Sequence, residues 1–204
     1  QSPPKKTCQT MSLMVQNLNA YVRKNHPNMP IVWVGHSTGA IFVQHFVSTN
    51  DENIMGVVLT APAHVPYWEL RLSQFLFGLQ LLKSGPQGHS DFIEDNTTKK
   101  YQNAWSGDSL SNWRTGDTIV NESLPKYPAL SQRTPIQTWM EILRVMRINL
   151  SGSSTVQPPC LLMSGSQDSS NQFGSGMFKL AQQLSKSKAQ VCNHVFIPHG
   201  RHDI

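Results

Sequence analysis

Cysteine is scarce in this sequence, and the patterns that would bind a metal or a cofactor are missing. Cys8, Cys160 and Cys192 are an odd number of widely separated residues without a C-x-x-C pair. This arrangement argues against a disulfide framework and against a zinc site. The histidines show no metal-binding spacing either. We therefore expect neither a metal ion nor a cofactor.

Long apolar runs are also missing. The most apolar helix candidate, near residues 70–82, is too short to span a bilayer and contains Arg71 and Gln80. No signal peptide is visible, but a chain that begins with Gln1 does not show a native start, so targeting cannot be read from it. Cytoplasm or the membrane periphery is the favoured location.

Charged residues are few, at 14% of 204 residues, with 17 basic and 12 acidic side chains and a net charge of +5. Because 38% of the residues are hydrophobic, the chain can bury one core and does not resemble a disordered polyelectrolyte. No basic stripe with interleaved aromatic residues is present, so we expect no nucleic-acid partner. Solvated lysines explain the excess charge, with mild attraction to anionic lipid as an alternative.

The pentapeptide GHSTG at residues 35–39 is the most informative motif. The apolar run at residues 31–34 precedes it and predicts a strand buried on both faces of a parallel sheet. The residues that follow, up to Asn50, have helical spacing. A serine between a buried strand and a helix fits the nucleophile elbow of hydrolases, whereas an incidental serine in an ordinary turn is the alternative.

The elbow assigns a task to each residue of the pentapeptide. Large side chains at Gly35 and Gly39 would collide in so sharp a turn, and His36 lies between the strand and the serine. The hydroxyl of Ser37 would be pushed out toward a substrate. The backbone N–H of Thr38, at the positive end of the following helix, is an expected donor to an oxyanion.

The rest of the chain alternates apolar strands with helices. Strands are predicted to begin near Ile31, Ile54, Cys160 and Val191, and this alternation favours an α/β fold with a parallel sheet of about four strands and flanking helices. A long section between the second and third strands holds two helical stretches separated by a polar segment, which predicts a helical cap inserted over the sheet. The expected division is a core part at 1–63, a cap at 64–157 and a second core part at 158–204.

Two residues beyond the cap complete a candidate catalytic set. Asp168 follows the third strand after a short turn, and His202 lies in the loop after the last strand. In parallel sheets reactive groups gather at the carboxyl ends of strands, and the order Ser, Asp, His is the one that α/β-hydrolases use. Asp168 could instead be a helix N-cap. His199, in the same loop, is the alternative base.

Four motifs together resemble a known family. "VGHSTGA", "GVVLTAPA", "LLMSGSQD" and "GRHDI", in this order, are similar to the lysophospholipase and monoacylglycerol lipase branch of the α/β-hydrolases, which also contains serine aminopeptidase-like proteins. The cap segment "RTPIQTWMEILR" resembles the same group. The resemblance implies Ser37 as nucleophile, Asp168 as acid and His202 as base, with the Thr38 N–H in the oxyanion hole.

The resemblance also implies a function and a missing part. The expected substrate is a small lipid ester with one acyl chain, a lysophospholipid or a monoacylglycerol, and peripheral membrane contact would suit it. An aminopeptidase or thioesterase with the same triad, and a non-catalytic hydrolase-like fragment, remain alternatives. Family members carry several strands before the nucleophile strand, so this chain looks like the C-terminal part of a domain whose N-terminal half is its natural partner.

Overall fold

A four-stranded parallel sheet organises the fold in this computed structural model. The structure describes residues 7–50, 53–105, 113–123, 126, 133–151, 156–186 and 192–204. The strands are β1 (Ile31–His36), β2 (Ile54–Thr60), β3 (Cys160–Gly165) and β4 (Cys192–Ile197), and they lie side by side in this order. The predicted α/β fold with a parallel sheet of about four strands is confirmed, although Val191 lies outside the described residues.

Helices connect these strands and also form the section between β2 and β3. The described helices are α1 (Thr7–Asn25), α2 (Thr38–Thr49), α3 (Tyr67–Ser84), α4 (Asp91–Asn96), α5 (Thr98–Gln102), α6 (Thr118–Ser123), α7 (Ile136–Leu150) and α8 (Ser175–Lys186). Within the described ranges, none combines the length and apolarity needed to cross a bilayer.

The section between β2 and β3 contains more helices than the sequence predicted. We expected two helical stretches there, and the described residues form five helices, α3 to α7. The three additional helices have only six, five and six residues. Helices this short do not show the repeated apolar spacing by which sequence patterns are recognised.

The core consists of two apolar clusters that share α2. One cluster packs α2 and α8 against the sheet and includes Val47, Leu59, Leu162 and Met177, each fully buried. The other packs the opposite side of α2, through Ile41 and Phe42, against α3 and α7. Helix α2, which follows the candidate nucleophile, is therefore held on both sides.

The first strand is less buried than its sequence suggests. Residues 31–34 predict a strand buried on both faces, but only Trp33 of these four is buried, whereas Val32 is 48% and Val34 63% exposed. The reason is that β1 is the edge strand of this sheet and α2 covers the face that carries Trp33. An exposed apolar edge strand is a template for pairing with another chain.

We predict that these 204 residues expressed alone associate through β1. The change Val34→Lys should raise the monomer fraction several-fold in light-scattering and size-exclusion measurements, because a charge on an edge strand opposes strand pairing. Ile119→Lys is the matched control, since Ile119 is 78% exposed but lies on helix α6. A fully monomeric parent chain, or an equal gain from both variants, would contradict this prediction.

Candidate functional site

The turn between β1 and α2 holds Ser37, the candidate nucleophile, in an unusual backbone conformation. Ser37 has φ 52° and ψ −120°, a conformation that is strained for a residue with a side chain. Its backbone N–H donates to the carbonyl of Thr60 at 2.9 Å, which ties the turn to β2. Helix α2 begins at Thr38, so its first backbone N–H groups have no intrahelical carbonyl as a partner and can donate to an anion, except that of Ala40, which donates to the carbonyl of Ser37 at 3.0 Å.

The two glycines of the motif differ in how much the turn needs them. A Cβ at Gly35 would lie 2.8 Å from the carbonyl oxygen of Gly39 and from the Cα of Ala40, so no side chain fits there. A Cβ at Gly39 would meet nothing within 4 Å. The turn therefore excludes a Cβ at Gly35 but leaves space for one at Gly39, which lies in the exposed first turn of α2. That a large side chain at Gly39 would collide stays a prediction.

The structure brings Ser37, His202 and Asp168 into one hydrogen-bonded chain. The Nε2 atom of His202 lies 2.8 Å from the Oγ of Ser37, and its Nδ1 lies 3.0 Å from Oδ2 of Asp168. The Asp168 side chain is fully buried and that of His202 is 5% exposed. A histidine held in this way can accept a proton from the serine while the carboxylate stabilises its cation.

Asp168 makes the contacts of both alternatives that the sequence left open. It precedes the 3-10 turn Ser169–Asn171, and its Oδ1 accepts the backbone N–H of Ser170 at 2.9 Å, as an N-cap does. Its other oxygen faces His202. The two interpretations were therefore not exclusive, because a carboxylate has two oxygens.

His199 points elsewhere. It adopts a left-handed turn conformation with φ 57°, and its side chain is exposed. Its backbone N–H donates to Oγ of Ser166 at 3.0 Å, so the residue shapes the loop that carries His202.

Residues of the section between β2 and β3 cover the imidazole of His202. The ring of Trp113 lies 4.7 Å from the ring of His202, and Tyr101 lies 5.4 Å from Trp113. Burial, followed by the negative charge of Asp168, raises the pKa of Tyr101 to about 12. The same section also holds the loop that carries His202, since Arg201 Nη1 donates to the carbonyl of Thr115 at 3.2 Å. These contacts shield the Asp168–His202 pair from water.

A second group of polar side chains, centred on Asp203, lies beside the chain of Ser37, His202 and Asp168. Asp203 accepts from the Nε of Arg114 at 3.0 Å and lies 3.2 Å from Nε2 of His36, whose Nδ1 is 2.9 Å from the hydroxyl of Thr60. Burial opposes ionisation of Asp203, but the His36 hydrogen bond and the Arg114 charge outweigh it and hold the pKa of this carboxyl below its usual value. Through Arg114, this group fastens the section between β2 and β3 to the loop that carries His202.

The sequence as a whole matches a family model. The model describes serine aminopeptidases of the S33 group, and the match covers residues 1–204. The chain belongs to this hydrolase family. A search of curated proteins by sequence returned no significant match.

Several solved structures of other proteins share the fold of this hydrolase. A carboxyl esterase from Bacillus coagulans superimposes with a TM-score of 0.83 at 17% identity, over 96% of this chain and 64% of that one. Monoacylglycerol lipases are also similar, from Paleococcus ferrophilus (TM-score 0.60, 16% identity, 93% and 65% covered) and Saccharomyces cerevisiae (0.63, 16%, 95% and 60%). The predicted α/β-hydrolase fold is confirmed, and this hydrolase chain spans about 60 to 65% of the length of these three proteins.

One group of side chains near the site has the composition of a metal site. Among the residues that the structure describes, His36, His202 and Asp203 place one ligand atom each within 4.8 Å of one another. However, both ring nitrogens of His202 already bond to Ser37 and Asp168. A cation bound there would have to break one of these bonds, so the group does not suit a resident metal of this hydrolase.

Several residues around the site were not found from the sequence. Trp113 and Arg114 lie about 90 positions before His202, and no local pattern links them to it. Asp203 directly follows His202, and Ser170 follows Asp168 by two residues, so proximity in sequence was the only available signal. Their contacts depend on how the section between β2 and β3 meets the loops after β3 and β4 at the sheet edge.

Proposed function

We propose that this chain carries the catalytic residues of a serine carboxylic-ester hydrolase that acts on an ester with one acyl chain, a lysophospholipid or a monoacylglycerol. One observation supports it above all others: the unbroken hydrogen-bond chain from Ser37 through His202 to Asp168, built on a strained serine turn. The fold of carboxyl esterases and monoacylglycerol lipases is further support.

The proposed reaction proceeds through an acyl-enzyme. The Oγ of Ser37 attacks the ester carbonyl while its proton passes to Nε2 of His202, and Asp168 stabilises the resulting imidazolium. The Thr38 N–H, at the start of α2, donates to the developing oxyanion. The alcohol leaves with the proton from His202. Water then attacks the acyl group, loses a proton to His202, and releases the fatty acid and the free serine.

A lipid substrate is supported by a surface of α3, which we call the α3 apolar stripe. Its five large side chains are 47 to 85% exposed and repeat every four and three residues along one side of the helix: Trp68, Leu72, Phe75, Leu79 and Leu82. The other side packs into the core through Leu70 and Phe77. An exposed apolar helix face flanked by cations suits the surface of an anionic membrane. Arg71 and Lys83 supply such cations.

We predict that the α3 apolar stripe binds lipid surfaces. Phe75→Ser together with Leu82→Ser should weaken sedimentation with phosphatidylcholine vesicles containing phosphatidylserine by about tenfold or more, because each large apolar side chain contributes about 1.5–3 kcal/mol when buried. Ile119→Ser, an exposed apolar residue elsewhere, is the control. Equal binding by all forms would contradict the prediction. Concentration-dependent dimers that the double variant abolishes would assign the stripe to a second copy instead.

The family description makes aminopeptidase activity a second candidate. Such an enzyme needs a carboxylate for the free amino group of its substrate. Glu69 is the one acidic residue of α3, and it lies 3.8 Å from the Nζ of Lys100. Its negative charge is therefore partly compensated, which makes it less suited to bind an amino group.

The experiment that tests the proposal combines a probe and a substrate panel. A fluorophosphonate probe should label the full-length protein on Ser37, and hydrolysis should favour monoacylglycerol or lysophospholipid over aminoacyl amides. Faster cleavage of the amides would favour the aminopeptidase, and failure to label would favour a non-catalytic hydrolase-like protein.

A further inference from the structure

A third side chain joins the Asp168–His202 pair. The turn after β3 folds so that the Oγ of Ser170 lies 2.7 Å from Oδ1 of Asp168 and 2.9 Å from Nδ1 of His202. The backbone N–H of Ser170 donates to the same Oδ1 at 2.9 Å. Ser170 is 9% exposed, so water does not compete freely for these bonds. Its hydroxyl therefore contacts both partners of the pair at once.

The chemistry of the three groups fixes the direction of these hydrogen bonds. An ionised carboxylate only accepts, so the Ser170 hydroxyl donates its proton to Oδ1 of Asp168. The Ser170 oxygen then has only lone pairs to offer His202, and Nδ1 must carry a proton that it shares between Ser170 and Oδ2 of Asp168. This tautomer leaves Nε2 unprotonated and facing the Ser37 hydroxyl, as a general base requires.

We propose that Ser170 is a positioning residue that holds Asp168 in place and keeps the proton of His202 on Nδ1. The inference rests on the proposed function, because a tautomer matters only where His202 accepts a proton from Ser37. Ser170 does not touch the reacting atoms. It acts through Asp168 and His202. Without the Ser170 hydroxyl, Oδ1 of Asp168 would keep only the hydrogen bond from the backbone N–H, and the carboxylate could turn away from the imidazole.

The neighbouring serine provides a matched control. Ser169 is also part of the 3-10 turn, but its hydroxyl donates to the carbonyl of Tyr101 at 3.0 Å. Ser170→Ala and Ser169→Ala therefore remove the same atom from adjacent residues, and only the first removes a contact with the pair. Melting temperatures of both variants report any loss of folding.

The test measures two properties of the full-length protein. Ser170→Ala should lower kcat on a short-chain p-nitrophenyl ester by about tenfold and leave KM unchanged, because the loss concerns proton transfer rather than substrate binding. The low-field proton resonance of His202 Nδ1–H should move or broaden in the same variant. Ser169→Ala should retain the parent kcat and the parent resonance.

The outcomes separate this inference from the proposed function. If Ser170→Ala matches Ser169→Ala in both kcat and the Nδ1–H resonance, the positioning role is overturned while ester hydrolysis stands. If the parent protein neither reacts with fluorophosphonate nor hydrolyses esters, the proposed function fails. In that case a changed resonance in Ser170→Ala alone would still support the placement of the proton, and an unchanged one would reject it.

Discussion

Replacing Ser37 by alanine is expected to lower ester turnover by about four to six orders of magnitude, because a triad acts as a unit and only binding and oxyanion stabilisation survive the loss of one member. The hydroxyl of Ser37 is the group that His202 Nε2 faces at 2.8 Å. Initial rates on a short-chain ester, together with fluorophosphonate labelling followed by peptide mapping, measure the effect.

The fold should survive this change. Alanine tolerates the φ of 52° about as well as serine does, so the melting temperature should stay near that of the parent. Ser48→Ala, in the helix α2 that follows Ser37, is the matched control, since the hydroxyl of Ser48 donates to the carbonyl of His45. More than trace turnover by Ser37→Ala, or its labelling by the probe, would show that another residue is the nucleophile.

Replacing Gly165 by alanine is expected to impair both the fold and the activity. Gly165 ends β3, and a Cβ there would overlap the carbonyl oxygens of Gly200 and Arg201. Backbone atoms cannot rotate away, so the loop that carries His202 must shift. We expect a loss of about 1–3 kcal/mol in the free energy of unfolding from overpacking. A fall of about 100-fold in kcat should accompany it, since a displacement of 1 Å can cost that much.

A second glycine tests whether this effect is specific. A Cβ at Gly78, within α3, would meet nothing within 4 Å. Gly78→Ala should therefore leave kcat unchanged and stabilise the helix by up to about 1 kcal/mol. Thermal unfolding and initial rates of both variants give the comparison. A Gly165→Ala protein as stable and active as the parent would show that the loop accommodates the extra methyl group.

Much of the fold could be predicted from the sequence because its signals are local. The strand Ile54–Thr60 begins where it was predicted to begin, since an apolar run between turn residues needs no knowledge of distant contacts. The parallel direction of the strands followed from the alternation of strands and helices along the chain. The short helices α4, α5 and α6 escaped prediction because their stability comes from contacts with other elements instead of their own periodicity.

The sequence by itself determined the residue types of the candidate site and their positions at strand ends. A glycine-flanked serine, an aspartate after the third strand and a histidine after the fourth must meet at one edge when parallel strands are adjacent. It also left His199 as an alternative to His202, because residues three positions apart in a loop differ in direction only once the loop is folded.

Only the tertiary structure decided which histidine faces Ser37, and which other groups surround it. The hydrogen bonds that select His202, the contact of Ser170 with His202 and the cover provided by Trp113 depend on distances of 2.8 to 4.7 Å between separate segments. The tight passage at Gly165 likewise depends on the backbone of residues 200 and 201. Local patterns carry no such distances. These contacts form where the section between β2 and β3 packs against the loops of the sheet edge, and packing rather than periodicity sets how they fit.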